Sequence, residues 1–112
     1  MAGVIKKLYG PAALTNTYTD NIYVPASALI YDIVRHIHIV NKTASTVTFR
    51  MFLGGTSGNV AGTELWNDYP ILAYGDWDRY MALRLTSTTF LVGGASAATA
   101  LSITIEGESV VV

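Results

Sequence analysis

Apolar and polar residues alternate with a period of two in several stretches of this chain, and no stretch carries the period of an amphipathic helix. In residues 46–53, Val47, Phe49, Met51 and Leu53 point one way, and Thr46, Thr48, Arg50 and Phe52 point the other. Residues 101–106 repeat the pattern, with Leu101, Ile103 and Ile105 facing in and Ser102, Thr104 and Glu106 facing out. In residues 33–40 the odd positions Ile33, Ile37 and Ile39 form one face, which leaves His36 and His38 together on the other. Each of the three reads as a strand with one buried side.

Less regular runs of β-branched and aromatic residues at 4–9, 17–24, 65–72, 80–85, 89–92 and 109–112 add further strands. Gly10-Pro11, Pro25, Asn41-Lys42, Gly54-Gly55, Gly58-Asn59, Gly75-Asp76 and Gly93-Gly94 separate them as turns. Eight to nine short strands at even spacing predict an all-β fold: a single-domain antiparallel β-sandwich, jelly-roll-like, over residues 1–112. Residues 95–100 are a connection of small side chains. Residues 1–16, broken by Gly10-Pro11 and short of regularly spaced apolar positions, are expected as an extended N-terminal arm. The glycine-rich stretch 54–62 has neither Gly-Lys-Ser/Thr nor a following helix, so it reads as a surface hairpin and not a phosphate loop.

Composition narrows the function more than the fold. Of 112 residues 51% are hydrophobic, which excludes disorder, and only 13% are charged. Seven basic against eight acidic residues give a net charge of -1, so no nucleic-acid footprint is expected. Cysteine is absent, which removes disulfides, thiol nucleophiles and Cys-ligated zinc. Asp32, Arg35, His36 and His38 interrupt the most apolar window, residues 29–40, so no membrane helix is expected. Lys6 and Lys7 lack the apolar segment of a signal peptide behind them, and synthesis in a cytoplasm is the expectation.

Chemistry-bearing residues are few. His36 and His38 share a strand face and can approach one metal, as in the H-x-H strand of cupins. The cupin set also needs a Glu soon afterwards and a distant His; here Val40-Asn41-Lys42-Thr43 follows, and there is no third histidine. Two amphipathic residues at a sheet surface or subunit seam, or paired imidazoles around a trimer axis, are the readings left. Asp76-Trp77-Asp78-Arg79 is the densest charge cluster, and beside Gly75 its carboxylates read as turn residues. No Ser-His-Asp arrangement or G-x-S-x-G elbow is present, so no enzyme is expected and no cofactor is assigned. Seven Tyr, two Trp and three Phe supply core and contact surface alike. The contact candidates are Tyr9, Phe52, Trp66, Tyr69, Tyr74, Trp77, Val110 and Val111. Phe52 is among them because alternation puts it on the polar face.

From His36 to Gly107 the order of strand and turn is distinctive: a strand ending Ile39-Val40-Asn41, a polar turn, Thr46 to Gly55, a Trp, Pro70-Ile71-Leu72-Ala73-Tyr74-Gly75-Asp76, then Leu101 to Gly107. This resembles small β-sandwich virion proteins of tailed bacteriophages, the group that includes capsid decoration (cement) proteins and tail or neck appendage modules. The resemblance covers about two-thirds of the chain and carries no catalytic signature. It implies a protein of the virion, made in the host cytoplasm. Such a protein binds the outer head surface as a homo-oligomer, with a trimer expected, and its partners are the major capsid protein or other virion proteins. A tail, neck or fibre module is the alternative within that group. A carbohydrate-binding module, with Trp66 and Trp77 as its stacking platform, is the alternative outside it.

Overall fold

A computed structural model describes residues 5–54 and 63–111, and within them the chain forms eight antiparallel strands and no helix. In chain order these are β1 (Ile5–Ala13), β2 (Asn21–Tyr23), β3 (Ile30–Asn41), β4 (Val47–Gly54), β5 (Glu64–Ile71), β6 (Asp76–Leu85), β7 (Phe90–Ala95) and β8 (Leu101–Val111). The expected segments 101–106 and 109–112 run together as β8, which accounts for eight strands and not nine. The expected glycine-rich hairpin falls, beyond Gly54, outside the described residues, as do residues 1–4 and Val112.

Two four-stranded sheets result, ordered β1-β8-β3-β6 and β2-β7-β4-β5. Across them β1 pairs with β8, β2 with β7, β3 with β6 and β4 with β5. The first half of the chain is thus laid antiparallel along the second and the ribbon rolled into a sandwich, which is the jelly-roll arrangement. Ile37, Ile39, Ile103 and Ile105 of the first sheet meet Val47, Phe49, Met51 and Leu91 of the second, all at most 3% exposed. Burial of this interlayer is what holds the sheets face to face.

The alternation in β3 changes phase half-way. Asp32 and Val34 are buried in its first half, and Ile37, Ile39 and Asn41 in its second, with a register shift between Val34 and His36. The inserted residue leaves Arg35 and His36 both outside the core. Ile33, expected on the inner face with Ile37, is therefore on the outer one. Opposite the bulge stands Gly107, where an added Cβ would lie 2.0 Å from the Ile33 carbonyl oxygen. Only a residue without a side chain lets β8 approach the bulged strand there.

Two further expectations are corrected. Residues 5–13 are not an arm but the edge strand β1, in register with β8 from Ile5↔Glu108 to Ala13↔Ser102, and Leu14 beyond it is buried in the core. Bulges at Leu8 and around Gly10-Pro11 break its alternation, which is why the segment looks unpatterned in sequence. Phe52 does stand opposite Met51, yet it is fully buried. The β1–β2 connection crosses there, with the Ala95 and Gly93 amides donating to the carbonyls of Thr15 (2.8 Å) and Asp20 (2.9 Å). Tyr18 and Val24 then cover a second small core of Phe52, Phe90 and Val92.

Candidate functional site

The outer face of the first sheet brings together both histidines and two carboxylates. On β3, His36 lies opposite Glu106 of β8 and Tyr80 of β6, and His38 opposite Asp78 of β6. Strand pairing therefore aims two imidazoles and two carboxylates at one spot. His36 Nε2 is 2.6 Å and His38 Nδ1 2.7 Å from the same oxygen, Asp78 Oδ1, while His36 Nδ1 is 3.1 Å from Glu106 Oε1. Tyr80 stacks on His36, with ring centroids 4.4 Å apart and planes 15° from parallel. Beside the cluster the extra residue of the bulge, Arg35, donates from Nε to Glu108 at 2.7 Å.

Desolvation lowers the pKa of His36, but hydrogen bonds to Glu106 and Asp78 outweigh it and raise the imidazole above its usual value. Hydrogen bonds from His38 and His36 in turn hold the Asp78 carboxyl below its usual range. Both ring nitrogens of His36 face carboxylate oxygens, an arrangement that favours the imidazolium form. Asp78 is thus not the turn residue it was expected to be. The turn spans Leu72–Gly75, closed by the Gly75 amide donating to the Leu72 carbonyl at 2.8 Å, and Asp76–Arg79 already belongs to β6. The outward phase of Glu106 is legible in sequence, whereas the strand order that brings β6 and β8 to flank β3 is not.

The aromatic candidates separate by depth. Trp77 is only 8% exposed and packs against Phe49 (centroids 5.0 Å), Trp66 (5.1 Å, edge-on) and Tyr69 (5.9 Å). These rings close the open side of the sandwich between the edge strands β5 and β6. Trp66 and Trp77 consequently do not form a flat exposed platform. Tyr9 is half-buried against Tyr23, at 5.9 Å. Val110 and Val111 pair with Tyr31 and Ile30 of β3 inside the first sheet, Val110 half-buried and Val111 exposed. Tyr69 and Tyr74 are exposed at 38% and 73%, joined by Leu72 at 72% and Tyr80 at 77%. Tyr74 has φ 56°, a left-handed backbone conformation that a bulky residue rarely adopts.

Compared with known proteins, the chain matches no family model, no curated protein and no solved structure. Function therefore rests on the side chains and on what they can do.

At the other end of the first sheet Asp32, 1% exposed, accepts hydrogen bonds from the Tyr23 hydroxyl (2.5 Å) and Ser109 Oγ (2.6 Å). The adjoining cleft, between β1 and the start of β3, has a volume of about 200 Å³, below the usual range of small-molecule sites. Burial, and then the Asp32 carboxylate, push the Tyr23 phenol well above its ordinary pKa, so this pair is a neutral-phenol-to-carboxylate clasp in the frame.

Proposed function

We propose that this chain is a non-enzymatic structural subunit that acts by protein–protein contact through the β5–β6 side of its sandwich. Its specific form is the capsid-decoration role that the sequence resemblance implies: homo-oligomers, trimers foremost, seated on the outer shell of a phage head. The carrying observation is Tyr74, a large aromatic that is 73% exposed and held at φ 56°. The left-handed region costs a non-glycine residue roughly 1–2 kcal/mol, and Asn or Gly would avoid most of that. Among the described residues none covers the ring, so a contact outside the chain is the physical reason to keep tyrosine there. Four of the seven exposed large apolar side chains among the described residues (Tyr69, Leu72, Tyr74, Tyr80) lie on β5, β6 or the turn between them. Concentrated exposed apolar surface marks an association site, and unpaired edge strands beside it can accept a neighbour's backbone.

The test is on particles. Heads carrying the chain should melt at a higher temperature than heads lacking it, because a ligand that binds only the assembled shell stabilises it by mass action. Equal melting temperatures would contradict the decoration role. Among variants, Leu72→Ser and Tyr74→Asn should reduce attachment, whereas Asp76→Asn should leave it unchanged.

A further inference from the structure

The cluster on the outer face of the first sheet has the composition of a metal centre, and a contact protein has no use for that as such. Its groups come from separate strands, so it is no accident of one local turn. His36 and His38 stand two residues apart on β3, and Asp78 comes from β6. One donor atom from each residue can be chosen so that all three lie within 4.8 Å of one another, a spread that side-chain rotation closes to the roughly 3.3 Å between ligands of a tetrahedral zinc ion.

We propose that His36 Nε2, His38 Nδ1 and an Asp78 oxygen bind one Zn²⁺ or similar first-row divalent ion per chain, with Glu106 as the group that orients His36. Two imidazoles and one carboxylate suit zinc, copper or nickel, whereas Mg²⁺ and Ca²⁺ favour oxygen-only ligands. Glu106 does what outer carboxylates do at such centres. It takes the Nδ1–H of His36 at 3.1 Å, which leaves Nε2 and its lone pair turned towards Asp78. The ion replaces two N–H protons that now converge on the single oxygen Asp78 Oδ1, at 2.6 and 2.7 Å. His36 gives up its Nε2 proton on binding and keeps the one on Nδ1, the His38 proton is carried on Nε2 of its own ring, and Asp78 exchanges two hydrogen bonds for one coordinate bond. The stacked Tyr80 ring holds the His36 plane, and the buried Ile37 and Ile39 on either side of His38 fix the strand beneath. Three protein ligands leave a fourth position open to water or to a group from a neighbouring molecule. The site differs from the cupin one, whose histidines point into the barrel; here they point away from the core.

The full-length chain, stripped with a chelator, is titrated with Zn²⁺ by calorimetry and with Co²⁺ by visible absorption. Saturable uptake of one ion per chain is expected, with the visible bands of tetrahedral or five-coordinate Co²⁺. His38→Ala and Asp78→Asn should each weaken Zn²⁺ binding about a hundredfold or more, and Glu106→Gln about 10–100-fold. Asp68→Asn, on the second sheet, should leave it unchanged. His38 and Asp78 side chains are 34% and 46% exposed, so these variants keep the fold, checked by their own melting in chelator. Absence of saturable Zn²⁺ uptake up to about 100 µM would overturn the proposal. So would uptake indifferent to His38→Ala and Asp78→Asn, equal competition by Mg²⁺ or Ca²⁺, or one ion shared among two or three chains.

Discussion

Asn41 is a residue on which two turns depend. It is fully buried at the end of β3, where its Nδ2 donates to the carbonyls of Ser45 (2.8 Å), Ile71 (3.0 Å) and Leu72 (3.2 Å). Its Oδ1 accepts from the Thr43 amide (3.0 Å) and hydroxyl (2.7 Å). One side chain thereby ties the β3–β4 turn to the corner that presents Leu72 and Tyr74. Asn41→Ala removes the partner of the buried Ile71 carbonyl and of several half-buried turn groups, and should destabilise by about 2–4 kcal/mol in denaturant unfolding. A loss below about 0.5 kcal/mol would show the turns to be independent of it. His36 makes a prediction of a different kind, for the metal-free chain in chelator. Facing it are Glu106 from β8, Asp78 and Tyr80 from β6, and His38 and the Glu108-paired Arg35 on its own strand. Its folded pKa is raised, so its contribution to stability is complete below the ordinary value of 6.5 and is lost as pH rises through the folded value. The Asp78 pKa is lowered, so its contribution is lost in the opposite direction, as pH falls through the folded carboxyl value. The melting temperature of wild type relative to His36→Gln should therefore fall as pH rises above the histidine range. A constant difference across that range would contradict the hydrogen-bonded imidazolium.

Among the elements, β4 and the first half of β8 are legible in the sequence because residues 47–53 and 101–106 alternate, whereas the continuation of β8 through Gly107 to Val111 is not. The period of β3 was legible only in its second half, since the bulge between Val34 and His36 shifts the phase and Ile33 moved faces with it. The strand character of 4–9 was visible too, while its place as an edge strand paired along β8 depends on partners far away in sequence. Phe52 shows the same limit. Its face follows from the alternation, but nothing local says that residues 14–20 cross over it. The histidine pair was visible, and its carboxylate partners needed the strand order. Two outcomes follow for the elements. Deleting residues 1–13 strips β8 of a neighbour and exposes the core, so cooperative melting should be lost; a folded product would restore the arm reading. Phe52→Ala should cost about 3–5 kcal/mol of stability and act on attachment only through unfolding. Were attachment weakened with unfolding unchanged, Phe52 would be a contact residue after all.

For the whole molecule, a jelly roll supplies two faces, two edges and a rigid frame, and says nothing by itself about use. The outer face of the first sheet carries the charged cluster. The β5–β6 side carries the exposed aromatics, next to the Arg50–Asp68 pair, whose closest contact is 2.6 Å. The two surfaces share β6 yet make separable predictions, since Leu72 and Tyr74 touch neither imidazole. Association through the β5–β6 side is the central claim, and sedimentation of the full chain tests it most directly. At micromolar concentration the wild type should run as an oligomer of its 12.0 kDa chain, a trimer foremost. Leu72→Ser combined with Tyr74→Asn should run as a monomer whose melting temperature is no lower than that of wild type with the oligomer dissociated by dilution, because Asn relieves the left-handed backbone at position 74. A wild-type chain that stays strictly monomeric, or a double variant that associates as well as wild type, would contradict it.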